Sequence, residues 1–312
     1  MSKIGLAITT NKLEEVALKY VPYSTKVGID ECAIVHHCHE DSALSEAQIE
    51  KYESQYSTES TNLRLRSSTR AFHEARNETF ALLTTDIQVK WDDDHVFSRH
   101  DGHILFKERL LSSIERFGGG IFYFQIPTFG VHPRLLTKSR ILCGLNGDVF
   151  AFTKKDAEVS FCEDSKYSDR QVHKGTIKHH LGNLGVLHLD QMKPFKYLAY
   201  RGHLNGKLRN FNIQKSSLED AWKSTFSQPI EDTIRREIFK MKANPSDYFV
   251  RAPEHWVDQL PQPLYEMRNS SVRDFRYDFF GEDLGLEFSL DSIPLLSVSD
   301  LNIQKRIIYT DF

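Results

Sequence analysis

Residues 87–95 read Ile87-Gln88-Val89-Lys90-Trp91-Asp92-Asp93-Asp94-His95. A short apolar run stops abruptly in three consecutive carboxylates. Its length suits a buried strand and falls short of a helix. Upstream, Ile4–Thr10 (IGLAITT) and Glu31–His37 (ECAIVHH) have the same apolar, β-branched texture, and residues 62–66 (NLRLR) alternate like a strand. Between these strands the period changes. Residues 12–20 place Val16, Ala17 and Tyr20 on one helical side, with Asn11 as the cap. Residues 45–56 open with Ser45 and Gln48 in capping-box spacing. Residues 69–83 space Phe72, Ala75, Phe80 and Leu83 near helical period. Strand and helix thus alternate up to Trp91, which predicts an α/β layer around a mainly parallel sheet. Ligands of such sheets bind outside the carboxyl ends of the strands, where Asn11, His37 and Asp92 to Asp94 lie.

Downstream, residues 104–117 read as a helix closed by Gly118-Gly119-Gly120, a helix stop and turn. Strands are expected at 121–127, 140–145 and 149–153, a helix at 163–174, and a last short strand at 184–188. Beyond residue 205 the texture changes. Residues 216–242 are helical, with Leu218, Trp222, Ile230, Ile234 and Ile238 as core positions and Pro229 separating two helices. Residues 244–312 read as a packed, irregular extension. The expected division is 1–204, with a half on each side of residue 95, and 205–312.

Composition narrows the function. The 312 residues carry a net charge of −3, with 40% hydrophobic and 27% charged residues, so the chain has material for a large core and is no disordered acidic tail. A pI near 6.5 argues against a protein that lives by wrapping nucleic acid. The longest apolar runs fall short of a membrane span, and the N-terminus does not read as a cleaved leader. Cys32, Cys38, Cys143 and Cys162 make no disulfide framework; free thiols in the reducing cytoplasm are expected. The segment Cys32 to His39 is dense in metal-ligand side chains but matches no structural zinc spacing, and reads as a strand and its end.

The three aspartates carry the chemistry. Adjacent anions repel, and their crowding invites a cation. Asp92 and Asp94 alternate on an extended backbone and point the same way. Such a pair suits Mg²⁺ or Mn²⁺, which take carboxylate oxygens together with substrate phosphates.

Several motifs follow one another in a familiar order. Ala75-Arg76-Asn77, then Leu82-Leu83-Thr84-Thr85-Asp86, then the strand and Asp92-Asp93-Asp94 resemble the family-two glycosyltransferases of the GT-A fold. Residues 144–152, Phe161-Cys162-Glu163-Asp164-Ser165 and Tyr167-Ser168-Asp169-Arg170 look like that family's acceptor-side strand and "ED…R" helix. Lys174-Gly175 through Gly185-Val186-Leu187-His188 look like its closing turn, strand and histidine. The resemblance covers residues 3–190. It implies a Rossmann-like GT-A domain that moves a sugar from a nucleotide-sugar donor, UDP being the commonest, with inversion at the anomeric carbon. It also implies roles. Asp92 and Asp94 hold a divalent metal on the donor diphosphate, and His188 completes the shell. Asp93 lies near the donor sugar. Asp164, with Glu163 as the second candidate, takes the acceptor proton. Arg76 lines the nucleotide pocket, and Thr9, Thr10 and Asn11 mark where the nucleoside sits. One departure stands out: relatives often end the second strand with an acidic pair that contacts uracil, and this chain has His36-His37. His37 is then the residue expected to stack on, or hydrogen-bond to, the base.

The acceptor stays open. Arg134, Lys138, Arg140, Lys154, Lys155, Lys166, Arg170, Lys174 and Lys178, interleaved with aromatics, read either as a solvated mixed surface or as a groove for an anionic acceptor. A surface glycan leads; a hydroxylated base in DNA, flipped from its duplex, is the alternative. Arg235, Arg236, Lys240 and Lys242 around Ile238 and Phe239 leave room for peripheral contact with an anionic membrane. Two further classes compete: a two-metal nuclease using Asp92 to Asp94 with Glu163 and Asp164, and a non-catalytic scaffold that binds sugar nucleotides. The oligomeric state is not predicted.

Overall fold

The computed structural model describes residues 2–14, 16, 21, 24, 27–98, 102–138, 141–143, 149–163, 170–174, 177–189, 195, 218–297 and 300. The order begins β1 (Ile4–Thr10), β2 (Glu31–His37), α1 (Glu46–Tyr56), β3 (Asn62–Ser68), α2 (Phe72–Leu82), β4 (Ile87–Trp91), β5 (His95–Phe97) and α3 (Gly102–Phe117). It continues with β6 (Ile121–Phe124), β7 (Ile126–Pro127), β8 (Leu135–Thr137), β9 (Leu142–Cys143), β10 (Phe150–Thr153), β11 (Glu158–Cys162), β12 (Arg170–Lys174), β13 (Lys178–Leu181) and β14 (Val186–His188). The C-terminal part holds α4 (Leu218–Thr225), α5 (Ile230–Ala243), α6 (Pro245–Tyr248), β15 (Phe249–Arg251), α7 (Glu254–Val257), α8 (Gln262–Glu266) and α9 (Val272–Phe280).

Seven strands form the central sheet in the order β13-β6-β10-β4-β1-β2-β3. The pairs β1/β2, β1/β4, β2/β3 and β6/β13 are parallel, and β10 runs antiparallel to both its neighbours. The expected fold class is therefore present: α/β, a mainly parallel sheet, and a helical C-terminal part. Side-chain alternation along β1 explains the two layers. Leu6 and Ile8 join the core under α3, with Phe106 and Leu110. Ala7 points the other way and lies in register with Ala33; with Phe80 and Leu83 they form the second core. Two alanines at the crossing let α2 pack close to the sheet.

Local signals account for several boundaries. Ser45 caps α1, its hydroxyl accepting the Gln48 N–H while Gln48 reaches back to the Ser45 N–H. At the triple glycine, Gly118 ends α3 at φ 82° and Gly120 adopts φ 151°, where a Cβ would stand 2.5 Å from the Ile177 carbonyl oxygen. Pro229 caps α5, and Trp222, Ile230 and Ile238 are buried.

Strands β5, β8, β11, β13 and β15 lie where none was expected, and one expected helix is replaced in part by strand. Residues 163–174 were expected to be a helix; instead β11 and β12 form an antiparallel hairpin, and residues 164–169 lie outside the described set. The reason is tertiary. Phe161 is buried against Phe80 with rings 5.8 Å apart, and His173 Nδ1 lies 3.0 Å from the Tyr123 hydroxyl. In the extended hairpin Phe161 lies opposite Gln171 and His173 opposite Val159, which puts both side chains on one face and lets each reach its partner.

The C-terminal part does not stand apart. β15 pairs with β8, and Val250, Leu260, Leu264 and Phe275 share a core with Val96, Phe129 and Leu187. The β5–β14 ribbon is thus clamped between two cores, since Phe97 and Val186 face the central one. No helix among the described residues is long and apolar enough to cross a membrane.

Candidate functional site

The carboxyl ends of β1, β2 and β4 lie side by side, with Thr10 in register with His36 and Ile8 with Trp91. After Trp91 the chain turns through Asp92, Asp93 and Asp94 and re-enters as β5. Each aspartate acquires different partners.

Asp92 lies between two cations. Arg76 Nη2 is 3.0 Å from Oδ1, and Lys90 Nζ is 2.9 Å from Oδ2. Both cations are buried: Arg76 rises from α2 with its guanidinium over the Phe72 ring, and Lys90 comes from β4 itself. Burial opposes charge on Asp92, but Lys90 and then Arg76 outweigh it, holding the carboxyl well below the usual carboxylate range. Both oxygens expected to face a metal are thereby engaged with protein cations.

Asp93 accepts a hydrogen bond from the Thr10 hydroxyl at 3.3 Å, tying the acidic turn to the end of β1. The same hydroxyl accepts the Lys12 N–H at 3.0 Å. Thr9, half-buried, has its hydroxyl 2.8 Å from that of Thr79 on α2, and Asn11 is exposed.

Asp94 faces two imidazoles. His95 Nδ1 is 2.9 Å from Oδ1 and His188 Nε2 is 3.4 Å from Oδ2. The β5–β14 register places His95 directly opposite His188, and their rings stack at 4.2 Å with 7° between planes. Thr128 Oγ1 lies 3.3 Å from His188 Nδ1. One donor atom from each of Asp94, His95 and His188 falls within 4.8 Å of the others. A carboxylate with two imidazoles fits a divalent cation chemically.

The remaining candidates are placed unevenly. His37 is buried; its Nε2 is 2.9 Å from the Arg70 carbonyl oxygen and its ring meets Phe72 edge-on at 5.3 Å. Glu163 is exposed just past β11, and Asp164 lies outside the described residues. The end of β11 is nonetheless tied to the site. Asn77 donates to the Phe161 carbonyl and accepts the Phe161 N–H, both at 2.8 Å, and the Arg76 guanidinium lies 5.3 Å from the Phe161 ring. Of the basic residues read as an acceptor groove, Arg134 pairs with Glu254 and Lys138 donates to the Ser246 carbonyl, so both are spent on the C-terminal part. On α5, Arg235 pairs with Asp232 and Lys240 with Glu237, while Phe239 is exposed. Cys32 and Cys38 are buried and free, and burial pushes the Cys32 thiol up to about 12 against the lowering effect of Ser24.

No protein-family model and no curated protein matches the sequence. Solved structures do. A mannosyltransferase from Pyrobaculum calidifontis, in complex with GDP-Man and Mn²⁺, aligns at TM-score 0.42 and 12% identity over 78% of this chain and 81% of its own. S. aureus TarS (residues 1–349) aligns at TM-score 0.37 and 10% identity over 91% and 88%. HddC from Yersinia pseudotuberculosis aligns at 0.35 and 8% over 62% and 96%.

Sequence reasoning missed three residues of this cluster. His95 was the last letter of the acidic motif, but only its pairing with a strand some 90 positions later turns it toward Asp94. Lys90 was not singled out in its strand, and Thr128 carried no local signal.

Proposed function

We propose that this chain transfers a sugar from a nucleotide-sugar donor to a hydroxyl acceptor, with a divalent cation held by Asp94 and His188. The observation that carries the reading is the convergence of Asp94, His95 and His188 at the carboxyl end of β4, beside the Asp93–Thr10 link. Bound there, the cation supplies Lewis-acid stabilisation of the departing diphosphate. The chain's own residues do the rest. Arg76 and Lys90 offset two of the three aspartate charges of the turn, so that a bound divalent cation would leave the site net positive and hospitable to phosphates. Thr10 holds Asp93 where the donor sugar would lie. Thr9 and Asn11 edge the nucleoside pocket, and His37, locked by Arg70 and Phe72, forms a rigid wall of it. Asn77 moors the end of β11, the strand that leads into Glu163, next to Arg76. Asp164, with Glu163 second, takes the acceptor proton, because a hydroxyl is a weak nucleophile without a positioned base. Attack from the face opposite the diphosphate inverts the anomeric carbon. Residues 1–204 form the transferring unit, and Val250, Leu260, Leu264 and Phe275 of the C-terminal part buttress its β5–β14 ribbon through the shared core. UDP is the first donor base to test and a surface glycan the first acceptor.

The test is nucleotide release from UDP-, GDP-, CMP- and dTDP-sugars with Mn²⁺, with and without a glycan panel. One nucleotide class should be released, faster with acceptor. Asp164→Asn should abolish transfer and keep donor binding; equal loss of both would remove the base assignment.

A further inference from the structure

We infer that Lys178, His180 and His173 form an oxyanion subsite that holds a phosphate or carboxylate group of an acidic glycan acceptor. This deepens the reading above and rests on it only for the role of the bound glycan. Three observations carry it.

The fold gathers these side chains on one sheet face. β13 lies at the edge of the central sheet and runs parallel to β6, with Lys178 in register with Ile121 and His180 with Tyr123. Positions two apart on a strand share a face, so Lys178 and His180 stand together, and both are exposed. Strand β12 brings His173 to the same tyrosine. The His180 ring lies 5.5 Å from that of Tyr123 with 18° between planes, and the His173 ring 6.1 Å from it with 6°.

His173 is held so that it can take a proton without losing a bond. Its Nε2 lies 3.2 Å from Gln171 Oε1, which accepts, and its Nδ1 lies 3.0 Å from the Tyr123 hydroxyl. Burial pushes the Tyr123 phenol up to about 12, so it stays neutral. A phenol donates to the neutral ring and accepts from the protonated one.

The cluster carries positive charge that no carboxylate answers. Among the described residues Lys178 makes no ion pair, whereas Arg134, Lys138 and Lys174 meet Glu254, the Ser246 carbonyl and Glu158. Burial first, and then the charge of Lys178, lower the proton affinity of both imidazoles, and His179 adds to this at His180. An oxyanion among them relieves that repulsion and draws protons onto the rings. Its binding therefore takes up protons and tightens as the pH falls below 6.5, the ordinary histidine value.

The place suits an acceptor. Tyr123 pairs across the sheet with Phe150, and Phe150 with Lys90, the lysine that meets Asp92. At ~4.8 Å per strand, Tyr123 lies ~10 Å from Lys90, so a glycan reacting at the acidic turn has its neighbouring sugars within reach of the cluster. A nucleic acid asks for a basic track and open aromatic faces. Here a single lysine is flanked by neutral imidazoles, and Tyr123 is 5% exposed.

The test titrates glucuronate, inorganic phosphate and a single-stranded oligonucleotide into the full-length protein, without nucleotide, at an ionic strength fixed by KCl. Histidine ring resonances are read by NMR, and proton uptake by calorimetry in buffers of different ionisation enthalpy. We expect glucuronate and phosphate to shift the His173 and His180 resonances and to raise the pKa of both. Glucuronate, whose own charge is constant in this range, should bind with proton uptake and roughly tenfold more tightly for a one-unit rise in histidine pKa. Lys178→Gln should weaken it roughly fivefold, and the exposed Lys51→Gln should not. No shift at these histidines, the same shift with KCl alone, undiminished binding in Lys178→Gln, or tighter binding of the oligonucleotide at this cluster would overturn the inference. In nucleotide-release assays with matched neutral and uronic-acid oligosaccharides, Lys178→Gln should raise KM for the acidic acceptor alone and leave the donor KM unchanged; an equal rise for both acceptors would also overturn it. Nucleotide release without anion binding leaves sugar transfer standing and removes the subsite. Anion binding without nucleotide release keeps the oxyanion site and removes the transfer reading.

Discussion

Asp92→Asn separates two descriptions of the acidic turn. If Asp92 chiefly anchors Arg76 and Lys90, neutralising it leaves two buried cations facing an amide. Each pair, near 3 Å, has a gross attraction of ~5 kcal/mol at an effective dielectric of 20. Desolvation cancels much of this. Removing one partner of a buried pair costs roughly 3–5 kcal/mol, and because the Asp92 side chain retains 21% exposure we set the loss at roughly 2–4 kcal/mol. Read by urea unfolding at pH 7 with a slope of ~3 kcal/mol/M, that is a fall of ~1 M in the midpoint. The loss should persist in high salt, because the cations are buried. A double-mutant cycle with Arg76→Met should return a coupling of roughly 1–3 kcal/mol. The sign with pH is fixed as well. A carboxyl held below its ordinary value of 3.8 stabilises the fold above that pH, and the stabilisation drains away as the pH falls beneath it; Asp92→Asn should lack this acid limb. A midpoint within ~0.2 M of wild type, or ~0.5 kcal/mol, would mean the two ion pairs do not hold the floor of the site, and the ligand assignment argued from them would go as well.

Two other perturbations follow from the same geometry. His132 is wholly buried, its Nδ1 accepting the Arg134 N–H at 3.1 Å; burial drives its pKa from 6.5 down to about 3, a contact with the Ser270 backbone opposing and the Arg134 charge adding. The unfolded chain therefore takes up the proton first, so stability should fall by ~1 kcal/mol per pH unit as the pH drops below 6.5, and thermal melts of His132→Phe should lose that slope. Asn77→Ala removes both hydrogen bonds to Phe161, which should cost roughly 1–3 kcal/mol and hasten amide exchange along β11; unchanged exchange would deny Asn77 its mooring role.

The sequence was most legible where forces are local. Ile4–Thr10, Glu31–His37 and Ile87–Trp91 are strands with the bounds read from their apolar runs, and Ser45 caps α1 as its spacing to Gln48 required. It failed where a segment takes its shape from a distant partner. Residues 170–174 carry no strong strand signal, yet His173 reaches Tyr123 only from an extended chain. β5 is three residues long, too short for any period, and exists because β14 pairs with it. The site divides in the same way. Asp94 and His188 could be nominated from the sequence and do come together. The fate of Asp92 could not, because it depends on Lys90 lying along its own strand and on Arg76 leaning in from α2. Residues 170–174, the end of the expected helix, are strand, and Asp164 lies outside the described residues.

Sugar-nucleotide chemistry at this site is most directly examined by titrating UDP and GDP into the full-length protein and into Asp94→Asn, each with Mn²⁺ and with chelator. We expect one diphosphate to bind the wild-type chain only when Mn²⁺ is present, with that dependence gone in Asp94→Asn. Failure of both to bind, or equal binding in chelator, would take away the central claim that a cation at Asp94 receives a nucleotide diphosphate.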